Sequence, residues 1–289
     1  MCFTMLIACV QSDVTFADPA ANLNRVLAWM ETAAEKKKDC ATEEADVVVF
    51  PECMLTGYAF GSRQHALEVA LEIDDPIFQK LGQAARQWGQ FVTLGFLESA
   101  AGRLYNSAVL IGPDGVVGCY RKIHLPHLGV DRFVDRGDQP YQTFAAATPR
   151  RGRAQIGLAI CYDASFPEPI RVLGLAGADI IALGTNWPVE AARTAQIVPS
   201  ARSLENHLYF AAANRVGHEN GFDFCGLSSI CGPDGVVLAA TDGDQETMLL
   251  AEIDLAVARN KRIERTAGTH IIDRFADRRP EFYGSITEG

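Results

Sequence analysis

The tetrapeptide Ala45-Asp46-Val47-Val48 recurs as Ala178-Asp179-Ile180-Ile181, and the turn Gly112-Pro113-Asp114-Gly115 recurs as Gly232-Pro233-Asp234-Gly235. Each Ala-Asp enters a short, continuously apolar run, the length of a strand covered on its faces. Each Gly-Pro-Asp-Gly stands between two β-rich runs, where it reads as a hairpin turn. A chain that repeats both signals in the same order is constrained to two pseudo-equivalent halves sharing one core. No Ser/Gly/Pro-rich linker separates them, so residues 1–254 read as one domain. An apolar content of 48% over 289 residues suffices for a well-buried interior.

Within each half the pattern alternates strand and helix, which predicts an α/β fold. Residues 6–11 (LIACVQ) read as a strand. Asp18 and Pro19 then supply an N-cap and a first-turn proline for a helix reaching about Lys38, with Lys36-Lys37-Lys38 as its solvated end. The strand over 46–50 (DVVVF) leaves Glu52 just past its carboxyl end, and a helix over 74–88, a strand over 91–98 and the hairpin over 105–120 follow. Residues 121–140 carry too much Pro, Gly and charge for regular structure and read as a loop that could line a site. The strand 154–160 (AQIGLAI) delivers Cys161 to its carboxyl edge. After it come a helix over 166–175, a strand over 179–184, the loop Thr185-Asn186-Trp187-Pro188, a helix over 190–206, a strand over 208–214 and closing strands over 224–253. Residues 255–289 are Arg-rich and lack a core pattern, as expected of an arm that packs on a partner subunit.

A formal net charge of -10 with no dense Lys/Arg block argues against nucleic acid as a partner. No apolar stretch approaches the roughly 18 residues of a membrane span, and the opening MCFTMLIACVQS lacks a basic segment with a cleavage site, so a soluble, cytoplasmic protein is expected. The eight cysteines (Cys2, Cys9, Cys40, Cys53, Cys119, Cys161, Cys225, Cys231) form no C-x-x-C pair and read as free thiols. His124, His127 and Asp131 read as a polar loop rather than a metal site, because zinc sites show tighter spacing or more His and Cys. With no P-loop or G-x-G-x-x-G either, neither a metal nor an organic cofactor is expected.

In α/β proteins ligands bind outside the carboxyl ends of strands, where Glu52, Lys122 and Cys161 all fall. A cysteine at the end of an apolar run packs by default as a small hydrophobe. A nearby base converts it into a nucleophile, since an unperturbed thiol is mostly protonated at neutral pH, and Glu52 is of the type to act as that base. An ammonium of fixed position stabilises a developing oxyanion, a task suited to Lys122.

These residues also carry a resemblance. Phe50-Pro51-Glu52, YRKIHLP (120–126) and CYDASFPEPIR (161–171) resemble the three signature segments of the nitrilase, or carbon-nitrogen hydrolase, superfamily. Residues 185–188, 201–217 and 226–235 are similar to its later segments, so the likeness runs from Leu6 to about Asp254. It implies a four-layer αββα sandwich with an internal pseudo-two-fold repeat, usually dimerised through a helical face and C-terminal arms. It also implies Cys161 as nucleophile, Glu52 as general base and acid, and Lys122 with the Tyr162 backbone N–H as oxyanion stabilisers. Tyr58, Tyr162, Asn186 and Trp187 are the candidate substrate contacts. Many members carry a second glutamate in the loop after the lysine. Here that place is offered by Asp131, one methylene shorter, which stands either for that glutamate or for an ordinary surface acid.

The implied reaction is hydrolysis of a non-peptide amide through a thioester, with a small amide and water as partners, ammonia as leaving group and a homodimer or higher homo-oligomer as the assembly. Members that hydrolyse nitriles commonly follow the cysteine with Trp-Glu, whereas Tyr162-Asp163 stands here, which favours amides. Carbamoylases and ω-amidases tend to place an arginine where this chain has Ala164 and Ser165, so a neutral aliphatic amide is expected unless Arg193 or another remote arginine reaches in. The alternatives are an N-carbamoyl amidohydrolase or ω-amidase, a nitrilase, and a catalytically silent interaction protein. An N-terminal nucleophile at Cys2 is disfavoured by Phe3, where a glycine is expected.

Overall fold

Strand β1 (Thr4–Gln11) shows how the layers are set, since its alternate residues enter different cores. Met5, Ile7 and Cys9 pack with Val47 and Val49 against Ile156, Leu158, Ile160 and Ala182 of the second half. Leu6, Ala8 and Val10 pack with Val48 against the helical residues Leu23, Val26, Met30, Phe78 and Leu81. A strand with two apolar faces has to lie between two layers. In this computed structural model, which describes residues 4–35, 45–148 and 152–288, those layers are a second sheet on one side and helices on the other.

The first half runs β1, α1 (Pro19–Glu35), β2 (Val47–Val49), α2 (Arg63–Leu67), α3 (Pro76–Trp88), β3 (Phe91–Ala100), β4 (Arg103–Gly112) and β5 (Gly115–Arg121). The second runs β6 (Thr143–Thr148), β7 (Gly152–Ile160), α4 (Pro167–Leu175), β8 (Ile180–Thr185), α5 (Ala192–Asn206), β9 (Tyr209–Asn214), the two-residue β10 (His218–Glu219) and β11 (Phe222–Asp223), β12 (Ser229–Cys231), β13 (Val237–Ala240) and β14 (Thr247–Asp254). The two six-stranded sheets have the orders β14-β1-β2-β3-β4-β5 and β13-β12-β9-β8-β7-β6. Each has a central parallel triplet, β1-β2-β3 or β7-β8-β9, continued by an antiparallel hairpin. With α1 and α3 outside the first sheet and α4 and α5 outside the second, the architecture is the four-layer αββα sandwich.

The repeated tetrapeptide now has a physical reason. Asp46 precedes β2, the middle strand of its triplet, and its carboxylate accepts from the Leu6 backbone N–H of β1 at 2.9 Å. Asp179 precedes β8, the middle strand of the other triplet, and accepts from the Gln155 N–H of β7 at 2.9 Å. In each half an aspartate staples the middle strand to its parallel neighbour and so fixes the register. The two Gly-Pro-Asp-Gly turns close β4-β5 and β12-β13 in equivalent places.

Two sequence expectations need amendment, and a third lies partly beyond the described residues. Helix α2 and edge strand β6 were not anticipated, the first because it spans five residues and the second because Ala145-Ala146-Ala147 carries little strand signal. The expected stretch of the first helix up to Lys38 lies outside the described residues, as do Cys2 and Cys40. The tail is not featureless. It opens with α6 (Leu255–Arg259), whose Leu255 and Ala258 are fully buried, and Arg259 pairs with Asp179 at 2.8 Å. A hairpin, β15 (Arg262–Thr266) and β16 (His270–Asp273), follows. No helix among the described residues is long and apolar enough to cross a membrane.

Candidate active site

Glu52 follows β2, Lys122 follows β5 and Cys161 follows β7, so both sheets contribute strand ends to one place. Close packing around the Glu52 backbone depends on two glycines, Gly95 of β3 in the same sheet and Gly184 of β8 in the facing one. A Cβ on Gly95 would fall 2.2 Å from the Cys53 nitrogen, and one on Gly184 would fall 2.9 Å from the Glu52 nitrogen. Strand β7 ends in Ile160, and Cys161 then turns the backbone into the left-handed region at φ 43°. A non-glycine residue holds that conformation at a cost of about 1–3 kcal/mol, which the surrounding contacts must offset. The residues 161–165 form a 3-10 turn, placing the Tyr162 N–H among the first donors of a helical turn, which lack partners within it.

Lys122 and Glu52 are both sealed from solvent, with Lys122 Nζ 2.7 Å from Glu52 Oε1. The same ammonium lies 2.6 Å from Asp131 Oδ2. Asn106, on β4, donates through Nδ2 to Glu52 Oε1 at 2.7 Å and to Asp131 Oδ1 at 2.9 Å. Tyr58 donates its hydroxyl to Asp131 Oδ2 at 2.9 Å. Asp131 is therefore inside the cluster, and the surface-acid alternative is set aside by its burial and its three donors. Glu52 Oε1 is saturated, while Oε2 is buried and makes no hydrogen bond.

Two buried carboxylates share one buried ammonium, and the charge states follow. Burial pushes the Glu52 carboxyl up, Lys122 pulls it down and Asp131 pushes it up again, leaving it above the ordinary carboxylate range. For Lys122, burial alone would lower the ammonium, but Asp131 and Glu52 outweigh it and hold it well above its usual value. Burial, and after it the Glu52 charge, raises the Cys161 thiol, against the opposing pull of Lys122, the Thr185 hydroxyl and the Asn186 N–H. The resting state thus has a protonated thiol beside a carboxyl with raised proton affinity. Burial, then Asp131, likewise keeps the Tyr58 phenol protonated and donating.

A second hub fixes the two segments that carry Lys122 and Cys161. The fully buried carboxylate of Asp163 accepts from Tyr120 Oη at 2.8 Å, Tyr141 Oη at 3.1 Å and the Ile160 N–H at 3.0 Å, and it lies 2.8 Å from His124 Nδ1. His124 and Asp131, neighbours in the loop, thus turn to different partners. Among the described residues no group of three His, Cys, Asp or Glu is placed to hold a metal ion.

The carbon-nitrogen hydrolase family model matches residues 6–263. The chain belongs to the carbon-nitrogen hydrolase family. It is 37% identical to a protein of Pyrococcus abyssi named nitrilase, over 96% of this chain and 98% of that one. It is 34% identical to an (R)-stereoselective amidase of Pseudomonas sp., over 98% and 95%. Its fold matches a mutant amidase of Nesterenkonia sp. AN1 with a TM-score of 0.78 and 26% identity, over 97% and 96%; that structure has the acetamide moiety of fluoroacetamide covalently added at the active site cysteine. The chain is therefore an amidase-type hydrolase of carbon-nitrogen bonds other than peptide bonds.

Of the residues singled out in this hydrolase from sequence, Glu52, Lys122, Asp131 and Tyr58 share one hydrogen-bond network. Tyr58 spends its hydroxyl on Asp131 and the Leu128 carbonyl. Asn186 donates from Nδ2 to the Glu52 carbonyl at 3.1 Å, and its Oδ1 is buried without a partner. Trp187 is buried, its backbone N–H donating to Asn214 Oδ1, whereas Tyr162 is exposed. Sequence reading missed Asn106 and the hub role of Asp163. The polar pair Asn106-Ser107 at the head of the apolar run Ala108-Val109-Leu110-Ile111 was the available signal for the first.

Proposed function

We propose that this hydrolase cleaves small neutral aliphatic amides through a thioester on Cys161, with Glu52 as base and acid and Lys122 and the Tyr162 N–H as oxyanion donors. The observation that carries the reading is the divided state of Glu52: Oε1 is pinned by Lys122 and Asn106, while Oε2 is buried and held by no protein donor. In the first step Oε2 takes the thiol proton as sulfur attacks the carbonyl carbon, and the oxyanion forms against Lys122 Nζ and the Tyr162 N–H. Glu52 then returns the proton to the amide nitrogen, the C–N bond breaks and ammonia leaves. Water, deprotonated by the same carboxylate, adds to the thioester; sulfur leaves, is reprotonated by Glu52, and the acid product departs. Asn186 Oδ1 is the buried acceptor suited to the substrate's amide N–H. Asp131, Asn106 and Tyr58 act as positioning residues for Lys122 and Glu52.

Substrate charge is read from the residues after the nucleophile. The arginine at Ala164 and Ser165 is Arg202, whose guanidinium is spent on the Ala164 carbonyl at 2.9 Å, the Ser165 carbonyl at 3.2 Å and Glu205 at 3.1 Å. Arg193, the remote arginine considered from sequence, is exposed. A carboxylate buried there would lack a free charge partner, at a cost of several kcal/mol. The test is ammonia release from propionamide, succinamate, N-carbamoyl-β-alanine and propionitrile. Propionamide should show the highest kcat/KM, and a clear preference for any of the other three would refute the neutral-amide reading.

The assembly we propose is a homodimer or higher homo-oligomer through the outer face of α4 and α5 and the arm over 255–289. Val172, Leu175, Ile197 and Leu204 are exposed on those helices, and Phe282 and Ile286 on the arm, whereas α1 and α3 expose no large apolar side chain among the described residues. Sedimentation of Leu175→Glu, giving a smaller species than the parent, checks this.

A further inference from the structure

Tyr58 lies in a loop, so the hydroxyl it donates to Asp131 is only as well placed as its own backbone. The Tyr58 carbonyl accepts from the Val130 N–H at 2.8 Å, inside the segment that carries Asp131. Its N–H is held from the second half of the chain. Glu219, on β10, accepts through Oε1 from the Tyr58 N–H at 2.7 Å and from the Ala59 N–H at 2.5 Å. Asn220, the next residue, donates from Nδ2 to the Ala59 carbonyl at 3.2 Å.

Glu219 is itself fixed. Its side chain is 2% exposed, and Oε2 accepts from Arg215 Nη1 at 2.5 Å. Arg215 follows β9, is 1% exposed, and turns Nη2 to Asp13 Oδ1 and to the Val14 carbonyl, each at 3.0 Å. Its guanidinium carbon stands 4.6 Å from the centre of the Phe224 ring. Asp13 and Val14 follow β1, so the guanidinium is anchored to the first half while it backs a carboxylate from the second. Two backbone N–H groups and a guanidinium on one buried carboxyl call for its ionised, acceptor-only form. Such charge-assisted bonds are about twice as strong as neutral ones. The hydrogen bonds therefore run without a break from Arg215 through Glu219, Tyr58 and Asp131 to Lys122.

We propose that Glu219 is a positioning residue for the hydrolytic step: through the Tyr58 backbone it places the hydroxyl that orients Asp131, and so the Lys122 ammonium. The proposal rests on the reading of Lys122 as an oxyanion donor. The oxyanion exists only after attack, so a loop released by loss of Glu219 costs rate rather than substrate binding.

The experiment is steady-state ammonia release by the full-length protein, using whichever amide it hydrolyses fastest, for Glu219→Ala, Tyr58→Phe and the double variant. Glu219→Ala should lower kcat by about tenfold or more and leave KM within about twofold. In the Tyr58→Phe background the same substitution should lower kcat by about threefold or less, because both changes act at one contact with Asp131. His218→Ala, on the same hairpin with its side chain exposed and paired to Asp223, should leave kcat unchanged. Should Glu219→Ala fold poorly by circular dichroism, Glu219→Gln keeps the length, sets its NH2 against Arg215 Nη1, and should show the same dependence on Tyr58. An equal fold-loss of kcat with and without the Tyr58 hydroxyl would overturn the proposal, as would a loss carried by KM alone or a comparable loss of kcat in His218→Ala. Lys122→Met, measured alongside, keeps the two readings apart. An unchanged kcat there refutes the oxyanion donor, whereas independent Glu219 and Tyr58 effects beside an impaired Lys122→Met refute the role of Glu219 alone.

Discussion

Replacing Asp131 by Asn keeps the shape of the side chain and removes one of the two carboxylates around Lys122. Asp131 receives three donors: Asn106 on Oδ1, and Lys122 and Tyr58 on Oδ2. An amide has one acceptor oxygen, so its NH2 must face either the Asn106 amide or the Lys122 ammonium, donor against donor. The cheaper arrangement sets it against Asn106, leaving a buried donor unmet at about 1–3 kcal/mol. It also turns the ionic contact of Lys122 into a neutral one, and breaking a buried pair outright costs about 3–5 kcal/mol. A loss of about 3 kcal/mol of unfolding free energy is therefore expected, a large part of a typical domain's total. Loosening Lys122 and Asn106 releases Glu52 Oε1, and misplacement on the order of 1 Å costs about a hundredfold in rate. The pH profile supplies a signature that destabilisation alone would not. Asp131 is among the groups that raise Glu52 and Lys122, so its neutralisation lowers both, and both limbs of kcat/KM against pH should move to lower pH. Urea unfolding and ammonia release across pH measure these effects. Stability within about 0.5 kcal/mol of the parent, with an unmoved profile, would refute the reasoning and leave Asp131 as an ordinary acid.

Cys161→Ala and Glu52→Gln should each abolish ammonia release, while Cys231→Ala should retain most of it, as measured with propionamide. Because the Glu52 charge raises the Cys161 thiol, Glu52→Gln should let iodoacetamide label Cys161 at lower pH than in the parent even as turnover vanishes; mass spectrometry of labelled peptides would expose an unchanged or opposite shift. Lys122→Met should lower kcat more than it raises KM, since the oxyanion exists only after attack; an unchanged kcat with raised KM contradicts that role. Ser165→Arg, which adds a guanidinium beside the one spent in Arg202, should narrow or reverse the propionamide-to-succinamate ratio of kcat/KM, and an unmoved ratio would mean that this position does not face the acyl group.

What the sequence determined by itself is what short-range pattern can encode. The apolar runs over 46–50 and 154–160 end where Glu52 and Cys161 begin, and a strand end is a local event written in consecutive residues. The Ala-Asp and Gly-Pro-Asp-Gly repeats announced two equivalent halves, because an aspartate at a strand start and a turn between hairpin strands each need only a few neighbours. What the tertiary structure alone decided is which distant residues meet. Asp131 could be read as a cluster member or a surface acid, and only the fold of its loop brought it within 2.6 Å of Lys122. Asn106 lies 54 positions from the Glu52 it contacts, on a strand whose register is set by pairing rather than by composition. The same holds for the arginine beside Ala164 and Ser165: sequence proximity to the Thr185–Pro188 loop suggested Arg193, whereas the facing turn of α5 presents Arg202. Hydrogen bonds across two sheets and a helix layer depend on where whole elements dock, and no window along the chain contains that information.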